Sequence, residues 1–545
     1  MAEKAKKRFH IELTTDLDKA RFSTLLGLIV LALLLGWQSD DSYHGYVMVK
    51  HLLEGNGFVY NIGERVCATT SPLYTLSCAV PNLITGEIFF SSMLLDVIYT
   101  ALAYYIFAYK VCRTREQVLM GFFAFCGSRA FLSYTTSGLE NSLMFLLSAL
   151  FLWQYFSHDR FNFKKLTLLA LSFAGIALVR MDLVLMFIPM IVYVFLMKRD
   201  KVSFIKAVGI TFLGLSPFIL WELFSLFYYG FPFPNTAYVK IGTGINSLDY
   251  FKHGVLYAWY TFLCDAVVIV VPAAFAVITL LIKKPKYILT AAGMAIYGLY
   301  VLRIGGDFMM GRHFTVMLFV SVFSCTMMLN REKDYFDSVR KVRTAFNFVV
   351  ISSVVWSFTF GNMIGSQYMF GHKFSSSISD ERENYSNTTG LYNNLVSVKR
   401  TGRMCIGDTW NNQATDELRQ MNFIGGILDN AAGILVYYNS DLYLNDTYCL
   451  GDPLLSKLPA DYDPNWRVGH LKRSVPEGYR ESVRENKNLI EDPSLHEYYD
   501  KILLITRGRL FDGERIKTIM NMNLGRYDHL VEEYVRRKQA LPAGK

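Results

Sequence analysis

The 545 residues are 52% hydrophobic and only 19% charged, with a mean hydropathy of +0.24. Soluble proteins carry about a quarter charged residues, so an ordinary soluble globular chain is excluded. The formal charge of +9 does not point to a nucleic-acid partner, because the Lys and Arg residues lie in loops beside apolar runs, as the positive-inside rule expects.

The N-terminal stretch Met1–Arg21 is polar and basic, and an apolar run follows directly. That run has no small-residue cleavage site, so it reads as a retained helix and not a signal peptide. About eleven apolar runs are predicted to span a membrane, near 22–38, 88–110, 118–136, 139–156, 166–180, 183–197, 207–228, 260–282, 287–303, 313–329 and 344–362. The fifth and sixth are short and are expected to tilt or to sit among neighbours. After about residue 365 the polarity becomes mixed. The expected organisation is a transmembrane domain over 1–364, whose loop 39–87 carries an interfacial helix, and a soluble domain over 365–545. The fold class is thus an α-helical polytopic membrane protein with a C-terminal mixed α/β domain.

The basic clusters set the orientation. Lys4, Lys6, Lys7 and Arg8 precede the first run, and Lys110, Arg113 and Arg115 separate the second from the third. Lys164 and Lys165, then Lys198, Arg199, Lys201 and Lys206, then Lys283, Lys284 and Lys286 follow on later loops, and Arg331, Lys333, Arg340, Lys341 and Arg343 precede the last run. All fall on one face, which is expected to be cytoplasmic. An odd number of spans then places the C-terminal domain outside. The opposite loops hold Asp40–Pro72, Ser137–Glu140, Arg180–Asp182, Tyr228–Gly254 and Arg303–Arg312. Chemistry on that face has no ready access to nucleotide sugars, so a sugar donor there would be carried by lipid.

Within these loops, Asp40 and Asp41 stand where the first helix leaves the membrane. A partly desolvated carboxylate there can act as general base on a sugar hydroxyl, or the pair can hold a divalent cation against a phosphate; the plainer reading is a solvated helix end. Arg180 and Asp182 either pair with each other or meet substrate. Glu140 either favours a helix N-terminus or faces the site. Lys240 and Arg312 are cations suited to a lipid phosphate, with Asp307 and the Gly305-Gly306 pair beside Arg312 letting backbone come close. His44 and His313 are given no metal, and no Cys or His spacing suggests zinc. Few ionisable residues fall at mid-span, which counts against a transporter or lipid flippase. Cys405 and Cys449 are candidates for a bridge in an oxidising compartment, and Trp410 and Trp466 are candidate carbohydrate contacts.

The ordered motifs carry a resemblance. Asp40-Asp41 is followed by Gly55-Asn56-Gly57, Asn61-Ile62-Gly63-Glu64-Arg65-Val66 and Thr70-Ser71-Pro72-Leu73. Then come Ser137-Gly138-Leu139-Glu140, Arg180-Met181-Asp182, Tyr228-Tyr229-Gly230, Pro234-Asn235-Thr236 through Lys240, and Gly305-Gly306-Asp307 through Gly311-Arg312. Gly451-Asp452-Pro453, Gly469-His470 and Pro476-Glu477-Gly478-Tyr479 continue the series. Together they resemble the GT-C membrane glycosyltransferases grouped around the terminal arabinofuranosyltransferase of the actinobacterial cell wall. The chain departs from that pattern with Arg180-Met181-Asp182 in place of R-P-D and with Cys67-Ala68-Thr69-Thr70. The resemblance implies a GT-C fold in a bacterial plasma membrane and transfer of a sugar, D-arabinofuranose or another such as mannose, from a polyprenyl phosphate to a glycan or a protein such as pilin. It places Asp40 or Asp41 at the catalytic centre and Lys240, Arg312, Asp307, Arg180, Asp182, Glu140, His44 and Asn235 around the donor.

Overall fold

The computed structural model describes residues 14–332, 336–365, 377–408, 425–428 and 433–540. Local signals start and stop its helices. α1 (Asp16–Leu34) begins at Thr15, whose hydroxyl accepts the Asp18 amide, and carries Asp16 and Asp18 in its first turn, where the helix dipole favours them. α2 (Ser42–Leu53) follows the aspartate pair, and α3 (Pro72–Thr85) opens on a proline. α4 (Ile88–Tyr105) is capped by Glu87, which accepts the Phe89 and Phe90 amides, and runs on in π-helical turns to Val111.

Among the described residues, five helical stretches are long and apolar enough to cross a membrane: Ile88–Val111, Met181–Lys198, Phe204–Tyr228, Arg312–Arg331 and Arg340–Thr359. This architecture is consistent with a helical membrane protein. Two expected spans take a different form. The run near 118–136 is split, because α5 (Arg115–Cys126) stops and Ser128 caps a new short helix, α6 (Arg129–Ser133). The run near 260–282 is not one helix either. α12 (Ser247–Cys264) and α13 (Val267–Ile282) meet at a 103° bend and would be a sixth span only if counted together. The cause is Asp265, which is fully buried at the bend and accepts from the Ser128 hydroxyl at 2.7 Å and the Ala130 amide at 2.8 Å. A carboxylate claimed by α6 cannot sit on a straight apolar helix facing lipid.

Other helices complete the bundle: α7 (Asn141–Ser157), α8 (Phe163–Val179), α9 (Val184–Tyr193), α10 (Phe204–Tyr228), α11 (Asn235–Tyr238), α14 (Pro285–Arg303), α15 (Thr315–Arg331) and α16 (Phe336–Gly365). Its centre is a set of stacked rings. Phe125, Phe131, Phe145 and Phe319, from α5, α6, α7 and α15, lie 4.5–5.8 Å apart. Each such pair adds about 0.5–1.5 kcal/mol beyond burial, so these four helices hold a fixed frame beneath the loops.

The C-terminal residues pack on the loop end of this frame. The helices Glu381–Thr389 and Leu391–Thr401 sit on the end of α1, with the Leu391 amide donating to Gly36 O at 2.8 Å. Two parallel strands, β1 (Gly425–Leu428) and β2 (Tyr443–Asp446), pair with Gly425 opposite Tyr443. Beside them lies a second apolar core containing Leu454, Tyr479, Leu495 and Ile502. Val239, from the loop after α10, is buried in that same core. Cys405 and Cys449, the candidates for a bridge, are not joined to each other; Cys449 is buried in this core and Cys405 donates to Thr388 O.

Candidate functional site

A cavity of about 730 Å³ opens between the helix ends and the C-terminal residues. Asp41 and His44 line it from the first loop and α2, and Asp307 and Arg312 from the turn before α15. A charged wall is formed by the loops that the motifs mark. Arg180 makes a two-pronged pair with Asp182, both contacts at 2.8 Å, and also reaches Glu140 at 3.1 Å. Arg312 reaches the same Glu140 oxygen at 2.9 Å and Asp307 at 3.6 Å. His313 lies 3.4 Å from Asp307 and hydrogen-bonds with Tyr297. Of the alternatives expected for Arg180, the pairing with Asp182 is present, and the pair also lines the cavity. Glu140 is the hinge of the wall, because it is buried and joins both arginines.

The turn that presents Glu140 is held from below. Asp96, fully buried within α4, accepts from the Ser142 hydroxyl at 2.5 Å and the Gly138 amide at 3.2 Å. The Ser39 amide donates to Ser137 O at 2.8 Å, which ties the same turn to the aspartate loop. Asp96 thus lies inside an apolar helix, where ionisable residues looked scarce, and its work is to position a loop.

The two neighbouring aspartates part company. Asp40 is buried, and its carboxylate accepts the backbone amides of Gly433 and Ile434 at 3.2 and 2.8 Å. It thereby caps the helix Gly433–Tyr438. Burial raises its pKa above the ordinary value, against His44 and the two amides, which lower it. A Cβ on Gly433 would lie 2.2 Å from Asp40 O, so only glycine admits this approach. Asp41 lines the cavity, and its carboxylate has no hydrogen bond or ion pair among the described residues.

Lys240 projects into the cavity and also has no partner there among the described residues. Burial lowers its pKa, with Arg180 adding to the effect and Asp307 and Asp182 opposing it. His44 lines the cavity and bonds the Tyr60 hydroxyl at 3.2 Å. Asn235 is not among the residues that line the cavity. Its amide nitrogen donates to the carbonyls of Cys449, Leu450 and Asp452, and its oxygen accepts from Ser456. No group is left over for a ligand. Gly306 also serves packing, since a Cβ there would meet the Tyr257 ring at 2.4 Å. Trp466 packs at a tilt against Tyr250 and His253, with both ring centres 5.0 Å away, and Trp410 lies outside the described residues.

Three further residues complete the wall and were given no role by their motifs. Asp446, Tyr448 and His470 reach the cavity from the C-terminal side. His470 stands on a tight turn whose Gly469 has φ +80°, its ring perpendicular to that of Phe308 with the centres 4.5 Å apart. The only sequence signal for it is the Gly469-His470 dipeptide. Away from the charges the cavity continues along an apolar arm of Leu185, Phe218 and Trp221, with Glu222 as its one acid. Among the described residues no group of three or more His, Cys, Asp or Glu side chains is placed to hold a metal ion.

No protein-family model matches the chain. Two curated proteins are similar to it, each named terminal beta-(1->2)-arabinofuranosyltransferase. The one from Corynebacterium glutamicum is 28% identical over 372 residues, 59% of this chain and 52% of the relative. The one from Mycobacterium tuberculosis is 25% identical over 435 residues, 69% of this chain and 68% of the relative. The match therefore spans about half of the first relative and two thirds of the second.

Proposed function

We propose that this chain is a membrane-embedded glycosyltransferase that moves D-arabinofuranose from a polyprenyl phosphate to a glycan or protein acceptor. The observation that carries this reading is one carboxylate, Asp41, standing free in a cavity that joins a wall of paired charges and the unpaired Lys240 to an apolar arm. The names of the two relatives support the sugar.

The chemistry follows from the wall. The polyprenyl chain lies along Phe218 and Trp221, where apolar surface favours it. Lys240 and Arg312 take the donor phosphate, because cations in a secluded site stabilise developing negative charge strongly. Asp41 takes the proton from the acceptor hydroxyl. The acceptor oxygen forms its bond to the anomeric carbon as the bond from that carbon to the phosphate oxygen breaks. The electron pair of the broken bond leaves with the polyprenyl phosphate, through an oxocarbenium-like state. Glu140 keeps Arg312 and Arg180 aligned, and Asp182 and Asp307 hold the far sides of the two arginines.

In this reading residues 1–364 form the membrane domain of GT-C type with about eleven spans, and residues 365–545 form the extracytoplasmic part that closes the cavity from the acceptor side. The one-sided basic loops support an N-terminus in the cytoplasm and a cavity on the outer face of a bacterial plasma membrane. The test is purified protein in nanodiscs with a synthetic polyprenyl-phospho-arabinofuranose, a mannose counterpart and a panel of acceptors. Arabinofuranosyl transfer supports the reading; turnover of the mannose lipid alone, or donor movement across a vesicle without transfer, overturns it.

A further inference from the structure

We infer that the helix Gly513–Asn523 is a membrane-docking element that seats the C-terminal unit on the lipid surface beside α10. The helix has two apolar faces. One, with Ile519 and Met522, is buried in the C-terminal core. The other is unpartnered: Ile516, Met520 and Leu524 recur at every fourth position, with Met520 60% and Leu524 67% exposed. A four-residue spacing keeps them in one stripe along the helix. Phe511, just before the helix, is 85% exposed. A helix bathed in water has no use for such a stripe, and a row of large apolar side chains on an outward face marks an interaction site.

Its position commits the occupant to lipid. Phe511 rests on Phe227, the penultimate residue of α10, at 5.3 Å between ring centres. Arg515 is fully buried and donates to the carbonyls of Phe227 and Tyr228, while the Asn523 amide donates to Gly230 O. The helix is thereby fastened to the end of a membrane-crossing stretch. α10 itself is largely uncovered by protein, and its Leu220, Leu223 and Phe224 are exposed up to the turns that Phe511 touches. The outward stripe thus continues a lipid-facing surface. Arg509, Lys517 and Arg526 are exposed around it, and their long stems can lie on acyl chains while the charges reach phosphate headgroups. The bilayer that holds α10 supplies both surfaces.

The test uses the full chain in bilayers and reads position, not catalysis, so it stands or falls separately from the proposed transfer reaction. Tryptophan is introduced as Met520→Trp, and separately as Leu524→Trp, and the added emission is measured in vesicles of phosphatidylcholine and phosphatidylglycerol with bromines at a shallow acyl position. Both sites are exposed, so neither variant disturbs a core. We expect the brominated lipid to remove at least half of the added emission in both variants, and acrylamide quenching to fall several-fold between detergent-free water-exposed tryptophan and the bilayer-bound protein. Added emission that ignores lipid bromines and stays open to acrylamide overturns the inference. Shielding that appears only at high protein-to-lipid ratio also overturns it, because it assigns the stripe to a second copy of this chain.

Discussion

The seam between the helix bundle and the C-terminal unit uses the same residue types as the cavity wall, yet to a different end. At the seam, Asp40 accepts two backbone amides, Asn235 donates to three carbonyls, and Glu64 is gripped by Arg507 at 2.9 Å and the Tyr443 hydroxyl at 2.7 Å. Each carboxylate oxygen of Asp40 and Glu64, and both ends of the Asn235 amide, thus has a partner within the chain. At the cavity wall, Asp41 and Lys240 have none among the described residues. Buried polar groups are normally saturated, so polar groups that line a cavity and lack partners are the ones available to a ligand. Saturation separates fastening from chemistry even between adjacent residues.

The comparison breaks first, and most visibly, at the aspartates. Asp41→Asn should lower transfer by about 10²–10⁴, the usual worth of a general base, with the melting temperature unchanged. Asp40→Asn should instead destabilise by about 1–3 kcal/mol, since it weakens two charge-assisted bonds, and keep measurable transfer. A reversed pattern, with Asp40→Asn dead and stable, would place the chemistry at the seam. The cation comes next. Lys240→Met should weaken binding of a phosphate-bearing donor analogue by about 1.5–3 kcal/mol, readable by calorimetry, without unfolding, because no partner is stranded. Asn235→Ala should do the converse: a fall in stability of about 1–3 kcal/mol and unaltered donor affinity in the protein that remains folded.

The smallest effect sharpens the boundary case. Asp446 lines the cavity yet is buried beside Asp40 and His44. Burial lifts its pKa from the ordinary 3.8 to about 6, with His44 and backbone amides opposing and Asp40 assisting. A raised folded-state value means the folded chain binds the proton more tightly than the unfolded chain. Its stabilising share is complete below about pH 4 and is lost as the pH climbs through about 6. The melting temperature of the protein should therefore decline across that interval, by at most about 3 kcal/mol of stability, and Asp446→Asn should flatten the slope. Equal slopes in both proteins would show that Asp446 keeps its charge.

The apolar runs announced the helices because periodicity and length are carried in composition. The bend at Asp265 was not legible, since it depends on partners far along the chain: Ser128 and the Ala130 amide claim Asp265. The motif loops do converge, with Glu140, Arg180, Asp182, Asp307 and Arg312 in one network. What the motifs could not tell was which member of Asp40-Asp41 turns inward, because that is decided by the amides of Gly433 and Ile434. Asn235 looked like a ligand residue for the same reason; an amide that fastens backbone and one that grips a sugar read alike until its partners are known. His470 stayed silent because its neighbours in the cavity, Phe308 and Asp307, come from the turn before α15, far back along the chain.

The contact of Gly433 with Asp40 also has a meaning in time. A ribosome delivers Asp40 and Asp41 among the first residues, and the bundle can insert as it is made. The amides that turn Asp40 aside, so that Asp41 alone faces inward, belong to Gly433 and Ile434. Until that stretch has been synthesised and has docked, the aspartate loop lacks its fastening. Order of synthesis thus makes the cavity one of the last parts of the protein to mature, and a nascent bundle reaches the membrane before it has a finished site.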